Sequence, residues 1–315
     1  MRDVLLLLAL PASGKSEIRR FLDHVGAEGR APAGMGRPVH LDDYPYVHLM
    51  RRISEEQASA GEDPVFFESE DLPFRDRREW STLTLLLDED AAAVLDEQVG
   101  APATDAVAVL ARIDRVRRRT GMTSGLASTA AAGAVATEAA AIGEGVMAAR
   151  SRWEPGETML IVEFARGGPD GSGMPLPEPL GYGHALALLS PALLGRAAIL
   201  YVWVTPEESR RRNQERAQPG RDGDASILHH GVPELVMAED YGCDDMEWLL
   251  GTAHRTGTID IPTTDGLISI PTARLDNRDD LTSHLRGEPD EWDPKATAEL
   301  QQRLTEALRG LGLGK

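Results

Sequence analysis

A short loop of small residues near the start of the chain ends in a lysine and a serine. Residues 4–10 are aliphatic throughout and predict a buried strand, and the residues from about 15 to 25 predict a helix. In such a loop, successive backbone N–H groups and the helix N-terminus together bind anions. We therefore expect a phosphate-binding loop formed by Pro11, Ala12, Ser13, Gly14, Lys15 and Ser16.

Lys15 and Ser16 carry side chains suited to different parts of a bound nucleotide. The ammonium of Lys15 is expected to reach the β- and γ-phosphates of ATP, and the hydroxyl of Ser16 is expected to ligate Mg²⁺. The chain contains 33 lysine and arginine residues, of which only Lys15, Lys295 and Lys315 are lysine. Because the sequence otherwise uses arginine for positive charge, lysine at position 15 indicates a need for a compact ammonium group.

Composition narrows the class of protein. With 315 residues, 42% of them hydrophobic, the chain can form one large domain or a domain with an insertion. Its net charge of −18 argues against a protein that coats nucleic acid or an anionic membrane. The single cysteine, Cys243, excludes an intrachain disulfide and a cysteine cluster for zinc. No apolar run approaches the roughly 18 residues of a membrane span, so we expect a cytoplasmic protein without a membrane partner.

The first residues also have features of a secretory signal peptide, because Arg2 precedes the leucine run. However, Asp3 lies in what would be the basic region of the signal. A signal peptide would also leave the Gly-Lys-Ser sequence and the helix after it unexplained. We therefore favour the phosphate-binding loop.

Two carboxylates follow the second predicted strand, which covers residues 38–41. Ligands of α/β sheets bind beside the carboxyl ends of the strands, so Asp42 and Asp43 are expected near the phosphate-binding loop. One of them could accept a proton from a substrate hydroxyl or orient a water molecule on Mg²⁺. Asp43 and Tyr44 are candidate substrate-binding residues. The alternative is that the two aspartates cap the helix that starts near Tyr44.

A third strand, residues 159–162, leads into Glu163 and Arg166. An acidic residue at the end of an apolar strand can hold the water shell of a metal ion, so Glu163 is a candidate for the Mg²⁺ site with Ser16 and Asp42. Arg166 is a candidate contact for a substrate anion. The alternative is an ion pair between Glu163 and Arg166 that only orders the loop.

Residues 45–155 predict a mostly helical insertion between the second and third strands. We expect this insertion to cover the acceptor substrate, and residues 1–44 and 156–315 to form the nucleotide-binding core. The arginines at 115 and 117–119 end one of its helices, either as compensation of the helix dipole or as a clamp for a substrate phosphate. After the third strand, the glycines and prolines of residues 169–179 predict a mobile loop at the active site.

An arginine-rich helix follows the fourth predicted strand, residues 196–204. Arg212 and Arg216 are four residues apart and therefore share a face of this helix. We expect them to close over the triphosphate as a lid and to stabilise charge that develops on the transferred group. The alternative is a solvent-exposed helix face balanced by neighbouring glutamates.

The last third of the chain supplies the remaining elements. Residues 259–262 and 267–271 predict either a hairpin or a fifth strand with its approach, and residues 294–308 predict a final helix. His229 and His230 are adjacent, but no third ligand follows at a suitable spacing, so we assign them no metal.

Four segments, in this order along the chain, resemble the P-loop kinase family, which contains nucleoside, nucleotide and small-metabolite kinases. Residues 9–16, Ala-Leu-Pro-Ala-Ser-Gly-Lys-Ser, are similar to the family's Gly-Leu-Pro-Gly-Ser-Gly-Lys-Ser loop, although alanine replaces its first glycine. Residues 40–44 resemble the strand end that carries the catalytic aspartate in uridine-kinase-like members, which points to Asp42 as the base.

The other two segments lie in the second half of the chain. The helix after residues 204–209 resembles the lid of the family. Residues 275–281 resemble the loop that lies near the adenine, which implies that Asn277 contacts the nucleotide. The insertion is much longer than a simple nucleotide-monophosphate-binding segment, so the resemblance does not identify the acceptor.

The resemblance implies an α/β P-loop fold of three layers with a central parallel five-stranded sheet. It also implies transfer of the γ-phosphoryl group from Mg-ATP to a small molecule, such as a nucleoside, a nucleotide or a related metabolite. Lys15, Asp42, Arg212 and Arg216 would then be the catalytic residues. Three other functions stay open at this point: a nucleotide-hydrolysing switch, a kinase for a modified base within a polynucleotide, and a nucleotide-binding protein whose catalytic loop has decayed.

Overall fold

The computed structural model describes residues 2–32, 34–100, 102–123, 126, 131–216, 231–264 and 266–314. The chain forms an α/β fold with helices on both faces of a six-stranded sheet. The strands are β1 (Val4–Leu8), β2 (Arg37–Asp42), β3 (Thr158–Phe164), β4 (Ala197–Trp203), β5 (Thr258–Thr263) and β6 (Gly266–Asp276). The helices are α1 (Lys15–Ala27), α2 (Tyr44–Ser59), α3 (Glu79–Leu95), α4 (Ala106–Arg119), α5 (Ala131–Ala134), α6 (Ala136–Arg152), α7 (Gly181–Leu188), α8 (Pro191–Arg196), α9 (Pro206–Arg216), α10 (Glu234–Glu239), α11 (Met246–Thr252) and α12 (Pro294–Arg309).

The sheet is mixed, with the strand order β2-β3-β1-β4-β6-β5. Neighbouring strands are parallel except for β5, which pairs antiparallel with β6. The prediction of a five-stranded parallel sheet is therefore wrong by one edge strand. The physical reason is that Ile259, Ile261 and Ile270 are buried in the core beside the sheet, so the hairpin extends the sheet instead of leaving it. The hairpin alternative for this segment is confirmed.

Strand β1 lies in the middle of the sheet, and all five of its residues are buried. Leu5 and Leu7 pack with helix α1 on one face, whereas Leu6 and Leu8 join the core on the other face. A strand covered on both faces requires a continuous apolar run, which accounts for the sequence of residues 4–8. The loop after β1 consequently begins at the centre of the sheet's carboxyl edge.

Helices α2–α6 lie between β2 and β3, in agreement with the helical segment predicted for residues 45–155. Helix α3 buries Leu87, Ala91 and Val94 in the same core as the sheet. Its first half packs with α2 and α4 in a second core, which also contains residues that follow β3, such as Leu176 and Leu180. The helical segment is thus packed directly on the sheet.

Some of the expectations concern parts of the chain that the structure does not describe. His229 and His230 lie outside the described residues.

The described ranges include no helix that is both long enough and apolar enough to cross a membrane.

Candidate functional site

A cleft of about 590 Å³ opens at the carboxyl ends of β1, β2 and β3. The connection after β1 leads towards the β2 edge of the sheet, and the connection after β4 leads towards the opposite edge. A crevice at such a position is where α/β sheets bind ligands. Pro11, Ala12, Lys15 and Ser16 form one side of the cleft. The structure therefore brings the predicted phosphate-binding loop into a cavity.

The loop between β1 and α1 has a left-handed backbone at two positions. Ala12 has φ 56° and Gly14 has φ 97°. A Cβ atom on Gly14 would lie 2.4 Å from the Oγ1 atom of Thr282 and 2.5 Å from the Nδ2 atom of Asn277, so this position requires glycine. Ala9, in contrast, has a negative φ, because Ala12 and Asp280 are the only non-glycine residues with positive φ in the described ranges. Alanine is therefore tolerated at the first position of the motif.

Three side chains from other parts of the fold hold the carbonyl groups of this loop. The hydroxyls of Tyr182 and Ser209 and the side-chain amide of Asn277 donate to the carbonyl oxygens of residues 9, 11 and 13, at 3.0, 2.7 and 2.7 Å respectively. Carbonyls of alternate residues are thus fixed from outside the cleft. The loop conformation is consequently specified by contacts with α7, α9 and the segment after β6.

The N–H groups of the same loop have no such partners. For Ala12 through Ser16, no acceptor among the described residues lies within hydrogen-bonding range of the backbone N–H. Helix α1 begins at Lys15 without a side-chain N-cap hydrogen bond, and the acidic residue of its first turn, Glu17, pairs with Arg216. Free N–H groups at a helix N-terminus form an anion-binding site.

Two cations and two carboxylates alternate beside the loop. The Nζ atom of Lys15 lies 3.6 Å from Oε1 of Glu163, and Nη1 of Arg19 lies 3.5 Å from Oε2 of the same glutamate. Arg19 also donates from Nη1 to Oδ2 of Asp42, at 3.3 Å. Asp42 and Glu163 are directly opposite each other on β2 and β3, so their side chains share one face of the sheet. The predicted residues Lys15, Asp42 and Glu163 therefore meet in one cluster.

The Asp42 carboxyl titrates near neutral pH. Burial is the main cause that raises the pKa of Asp42 to about 7, and the charges of Glu163 and Asp43 raise it further, whereas Lys15 and the N–H of Tyr44 oppose the shift. That N–H donates to Oδ1 of Asp42 at 2.9 Å, so the aspartate also supports the first turn of α2. Its side chain is still 25% exposed and lines the cleft. Such a carboxyl has the pKa and access expected of a general base.

Asp43 and Arg166 form a buried ion pair. The Nη1 atom of Arg166 lies 2.6 Å from Oδ2 of Asp43, and its Nη2 donates to Oγ1 of Thr84 at 3.1 Å. The guanidinium also stacks on the rings of Trp80 and Phe164, at 5.0 and 5.2 Å from their centres. The structure thus pairs Arg166 with Asp43 and not with Glu163, and it places Arg166 behind the wall of the cleft instead of on it.

The two lid arginines occupy different environments. Arg212 is buried, and its Nη2 donates to the carbonyl oxygens of Asn277 and Arg278 at 2.8 and 3.1 Å. It therefore supports the loop after β6 and does not line the cleft. Arg216 does line the cleft, where its Nη2 lies 2.6 Å from Oε1 of Glu17. Only Arg216 of this predicted pair is positioned to contact a ligand.

Asn277 is fully buried and uses its whole amide within the protein. Besides the bond to the loop carbonyl, Nδ2 donates to the Thr282 hydroxyl at 3.0 Å, and Oδ1 accepts the N–H of Leu281 at 2.7 Å. Its side chain does not line the cleft. The structure therefore gives Asn277, a predicted nucleotide contact, a part in shaping the phosphate-binding loop.

Two other predicted features lie away from the cleft. Arg115 and Arg119 pair with Glu89, and Arg117 pairs with the buried Glu79, so these arginines stabilise α4 and its contact with α3. Residues 169–179 do not line the cleft either. This segment is held by a backbone hydrogen bond from Asp170 to the carbonyl oxygen of Ala238, by the backbone bonds of the preceding Gly168 to Cys243, and by the buried side chain of Leu176.

The cleft contains oxygen ligands of the type that Mg²⁺ prefers. The Ser16 hydroxyl and the carboxylates of Asp42 and Glu163 line the same side, and Mg²⁺ prefers oxygen ligands. Among the described residues, no group of three or more histidine, cysteine, aspartate or glutamate side chains is arranged to hold a metal ion. Protein sites for Mg²⁺ usually provide one or two carboxylates and leave the other positions to phosphates and water.

Sequence reasoning missed several side chains of this site. Arg19 could have been found, because it follows Lys15 by four residues and must share its face of α1. Tyr182 and Ser209 had no local signal, because their contacts with the loop join residues that are 173 and 198 positions apart. Asp240 also lines the cleft, and nothing in its sequence neighbourhood distinguishes it from the other acidic residues nearby.

Comparison with known proteins gives no assignment for this cleft: no protein-family model matches the chain, and no curated protein sequence matches it.

Proposed function

We propose that this protein is a Mg-ATP-dependent kinase that transfers the γ-phosphoryl group to a small-molecule acceptor, such as a nucleoside, a nucleotide or a related metabolite. The observation that carries the proposal is the loop of residues 11–16. Its N–H groups from Ala12 to Ser16 have no acceptor among the described residues, although its carbonyls are fixed by three side chains. Backbone N–H groups in this arrangement, with Lys15 beside them, match the charge and shape of a polyphosphate.

Lys15 and Arg216 supply the positive charge for the transferred group. Among the charged groups of the described residues, Lys15 contacts only Glu163, at 3.6 Å, a distance long enough for phosphate oxygens to replace the glutamate as its partner. Arg216 also lines the cleft, and Glu17 is its partner at 2.6 Å. Both cations can stabilise negative charge on the phosphates without a large movement of the backbone.

Asp42 is the proposed base for the acceptor hydroxyl. It lies at the end of β2 beside the loop, and burial together with Glu163 and Asp43 raises its pKa to about 7. A base with this pKa can take a proton from the acceptor hydroxyl near neutral pH. Ser16, Asp42 and Glu163 would hold Mg²⁺ and its water shell, and the ion would neutralise charge on the β- and γ-phosphates.

A transfer assay tests this proposal. Purified protein is incubated with Mg-ATP labelled in the γ-phosphate and with a panel of nucleosides, nucleotides and sugars, and labelled products are separated. We expect transfer to at least one acceptor, loss of transfer in Lys15→Ala and Asp42→Asn, and normal transfer in Lys295→Ala, whose lysine is exposed on α12.

Two results would contradict the kinase assignment. Release of inorganic phosphate at the same rate with and without every acceptor would indicate a hydrolase. Tight binding of Mg-ATP without any labelled product would indicate a nucleotide-binding protein.

A further inference from the structure

The half of the cleft that lies away from the phosphate-binding loop contains a buried carboxylate that the phosphoryl transfer does not use. Asp240, at the end of α10, lines the cleft, and its side chain is only 1% exposed. Neither of its carboxylate oxygens has a hydrogen-bond partner of normal geometry within the described residues. Arg77 is shared between two carboxylates: its Nε lies 3.7 Å from Oδ1 of Asp240, and its Nη2 lies 2.6 Å from Oε2 of Glu239.

A buried carboxylate in this state is costly. Burial of an ionised carboxylate without hydrogen bonds is strongly unfavourable, and proteins normally satisfy such groups. Burial is the main cause that raises the pKa of Asp240 to about 6, and Glu239 raises it further, whereas Arg77 and the indole of Trp80 oppose the shift. At neutral pH the carboxylate is therefore largely ionised, while neither of its oxygens accepts a hydrogen bond of normal geometry from the described residues.

The walls around Asp240 are aromatic. The rings of Trp80 and Tyr241 lie 5.6 Å apart, Phe74 lies 5.0 Å from Trp80, and Phe67 lies 4.3 Å from Phe74, measured between ring centres. All four residues line the cleft. Aromatic faces favour a flat group, either a heterocycle or a delocalised cation, that can stack on them.

This aromatic wall is joined directly to the proposed catalytic groups. Arg166 stacks on Trp80 and pairs with Asp43, which is the chain neighbour of Asp42. Asp42 and Asp240 line the same cleft. A molecule that spans the cleft would therefore have both carboxylates beside it.

We propose that Asp240 and the aromatic residues around it recognise the acceptor through a planar group with two adjacent N–H donors, as in a guanine edge or a guanidinium. The two oxygens of one carboxylate can accept such a pair of donors together, and both groups are flat enough to stack on an aromatic ring of the wall. That the bound molecule is the phosphoryl acceptor rests on the proposed function. The binding chemistry follows from Asp240 and its surroundings alone.

Matched pairs of probes test the proposal by isothermal titration calorimetry, with the nucleotide site saturated by Mg²⁺ and a non-hydrolysable ATP analogue. Guanosine is compared with inosine, which lacks the second N–H donor, and agmatine is compared with putrescine, which carries an ammonium in place of the guanidinium. We expect guanosine or agmatine to bind at least about tenfold more tightly than its matched partner, because the partner leaves a buried carboxylate oxygen unpaired. The pair that shows the difference identifies the source of the planar group.

Two variants assign the difference to this carboxylate. Asp240→Asn keeps the shape of the side chain and replaces one of its two acceptors by a donor, so it should abolish the preference within the matched pair. Glu239→Gln alters the neighbouring carboxylate, which pairs with Arg77 and does not line the cleft, and it should keep the preference. The proposal would be overturned if the unaltered protein bound both members of each pair equally, a comparison that needs no variant. It would also be overturned if the preference survived in Asp240→Asn.

The same experiment separates this proposal from the proposed function. If Mg-ATP binds and its phosphate is transferred to another acceptor, while neither matched pair shows a preference, the kinase assignment stands and the Asp240 subsite is wrong. If a preference depends on Asp240 but the protein fails to bind Mg-ATP, the subsite stands and the kinase assignment is wrong.

Discussion

Replacement of Asp42 by asparagine should make the folded protein more stable at neutral and alkaline pH. Asp42 lies beside Glu163 and Asp43, and burial with these two charges raises its pKa to about 7. An aspartate in an unfolded chain has a pKa of about 3.9. The folded state therefore binds the proton more tightly than the unfolded state, and ionisation of this carboxyl opposes folding.

The sign and size follow from proton linkage. Below about pH 4 the Asp42 carboxyl is protonated in both the folded and the unfolded state, so it has no effect on stability. Between about pH 4 and 7 the free energy of unfolding falls as pH rises. Above about pH 7 the full cost of ionising Asp42 in the folded state remains. A shift of about three pKa units corresponds to about 4 kcal/mol. Because the side chain is 25% exposed, solvent screens part of this penalty, and we expect about 2 kcal/mol.

Urea denaturation of the unaltered protein and Asp42→Asn between pH 4 and 8.5 measures this difference. The two proteins should be about equally stable near pH 4, and the variant should be more stable by about 2 kcal/mol at pH 8. Asp260→Asn is a control of opposite sign, because the N–H of His254 and the hydroxyl of Ser269 lower the pKa of Asp260 to about 2. Because Asp260 is ionised in both the folded and the unfolded state above about pH 5, that control variant should be less stable than the unaltered protein by a nearly constant amount from about pH 5 to 8.5, with a smaller deficit near pH 4.

Two outcomes would refute the electrostatic description of the Asp42 site. One is a stability difference that is the same at pH 4 and pH 8. The other is a variant that is less stable than the unaltered protein at pH 8. The predicted result also separates stability from activity, because the same substitution should remove phosphoryl transfer while it stabilises the fold.

Two further predictions concern the conformation of the loop. Gly14→Ala should cost at least about 2 kcal/mol of stability and abolish binding of Mg-ATP, because φ is 97° and the new Cβ would lie within 2.5 Å of both Thr282 and Asn277. Gly29→Ala is the control: φ is 67° there and no atom lies within 4 Å of the new Cβ, so this variant should cost about 1 kcal/mol and leave binding unchanged. Asn277→Ala removes the donor to the Ser13 carbonyl and should cost about 2 kcal/mol in urea denaturation and weaken Mg-ATP binding several-fold, whereas unchanged binding would show that the loop holds its shape without this contact.

The position of the loop could be predicted from sequence because its signals are local, whereas its conformation also depends on the distant side chains of Tyr182, Ser209 and Asn277. An apolar run, small residues, Gly14 and a helix start are contiguous, and each restricts the backbone of its neighbours. The same applies to Asp42, which is placed by the end of β2. Its closeness to Glu163 follows from the parallel pairing of β2 with β3.

The roles of Arg212, Arg166 and Asn277 could not be predicted in the same way. Each was assigned to a ligand from its charge or its place in a motif, and each is buried among protein partners 65 to 264 positions away in the chain. The choice between a ligand and a protein partner depends on packing between distant elements. A periodicity or a spacing does not encode that choice.

The edge strand β5 illustrates a different limit. A hairpin of residues 259–262 and 267–271 is one of two predicted arrangements, and the sequence of β5 alone does not show whether that strand joins the sheet. Burial of Ile259 and Ile261 against the common core decides that it does. The acceptor half of the cleft could not be predicted for the same reason, because Trp80 and Asp240 come together only through the packing of α3 against the segment after α10.

Equilibrium binding of Mg-ATP tests the phosphate-binding role of the loop most directly. Titration calorimetry of the unaltered protein, Lys15→Ala and Lys295→Ala compares the lysine in the cleft with an exposed lysine on α12. We predict that the unaltered protein and Lys295→Ala bind Mg-ATP with the same affinity, and that Lys15→Ala binds at least about tenfold more weakly because a charge-assisted contact is lost. Equal affinities for all three proteins, or no binding by the unaltered protein, would contradict a nucleotide site at residues 9–16.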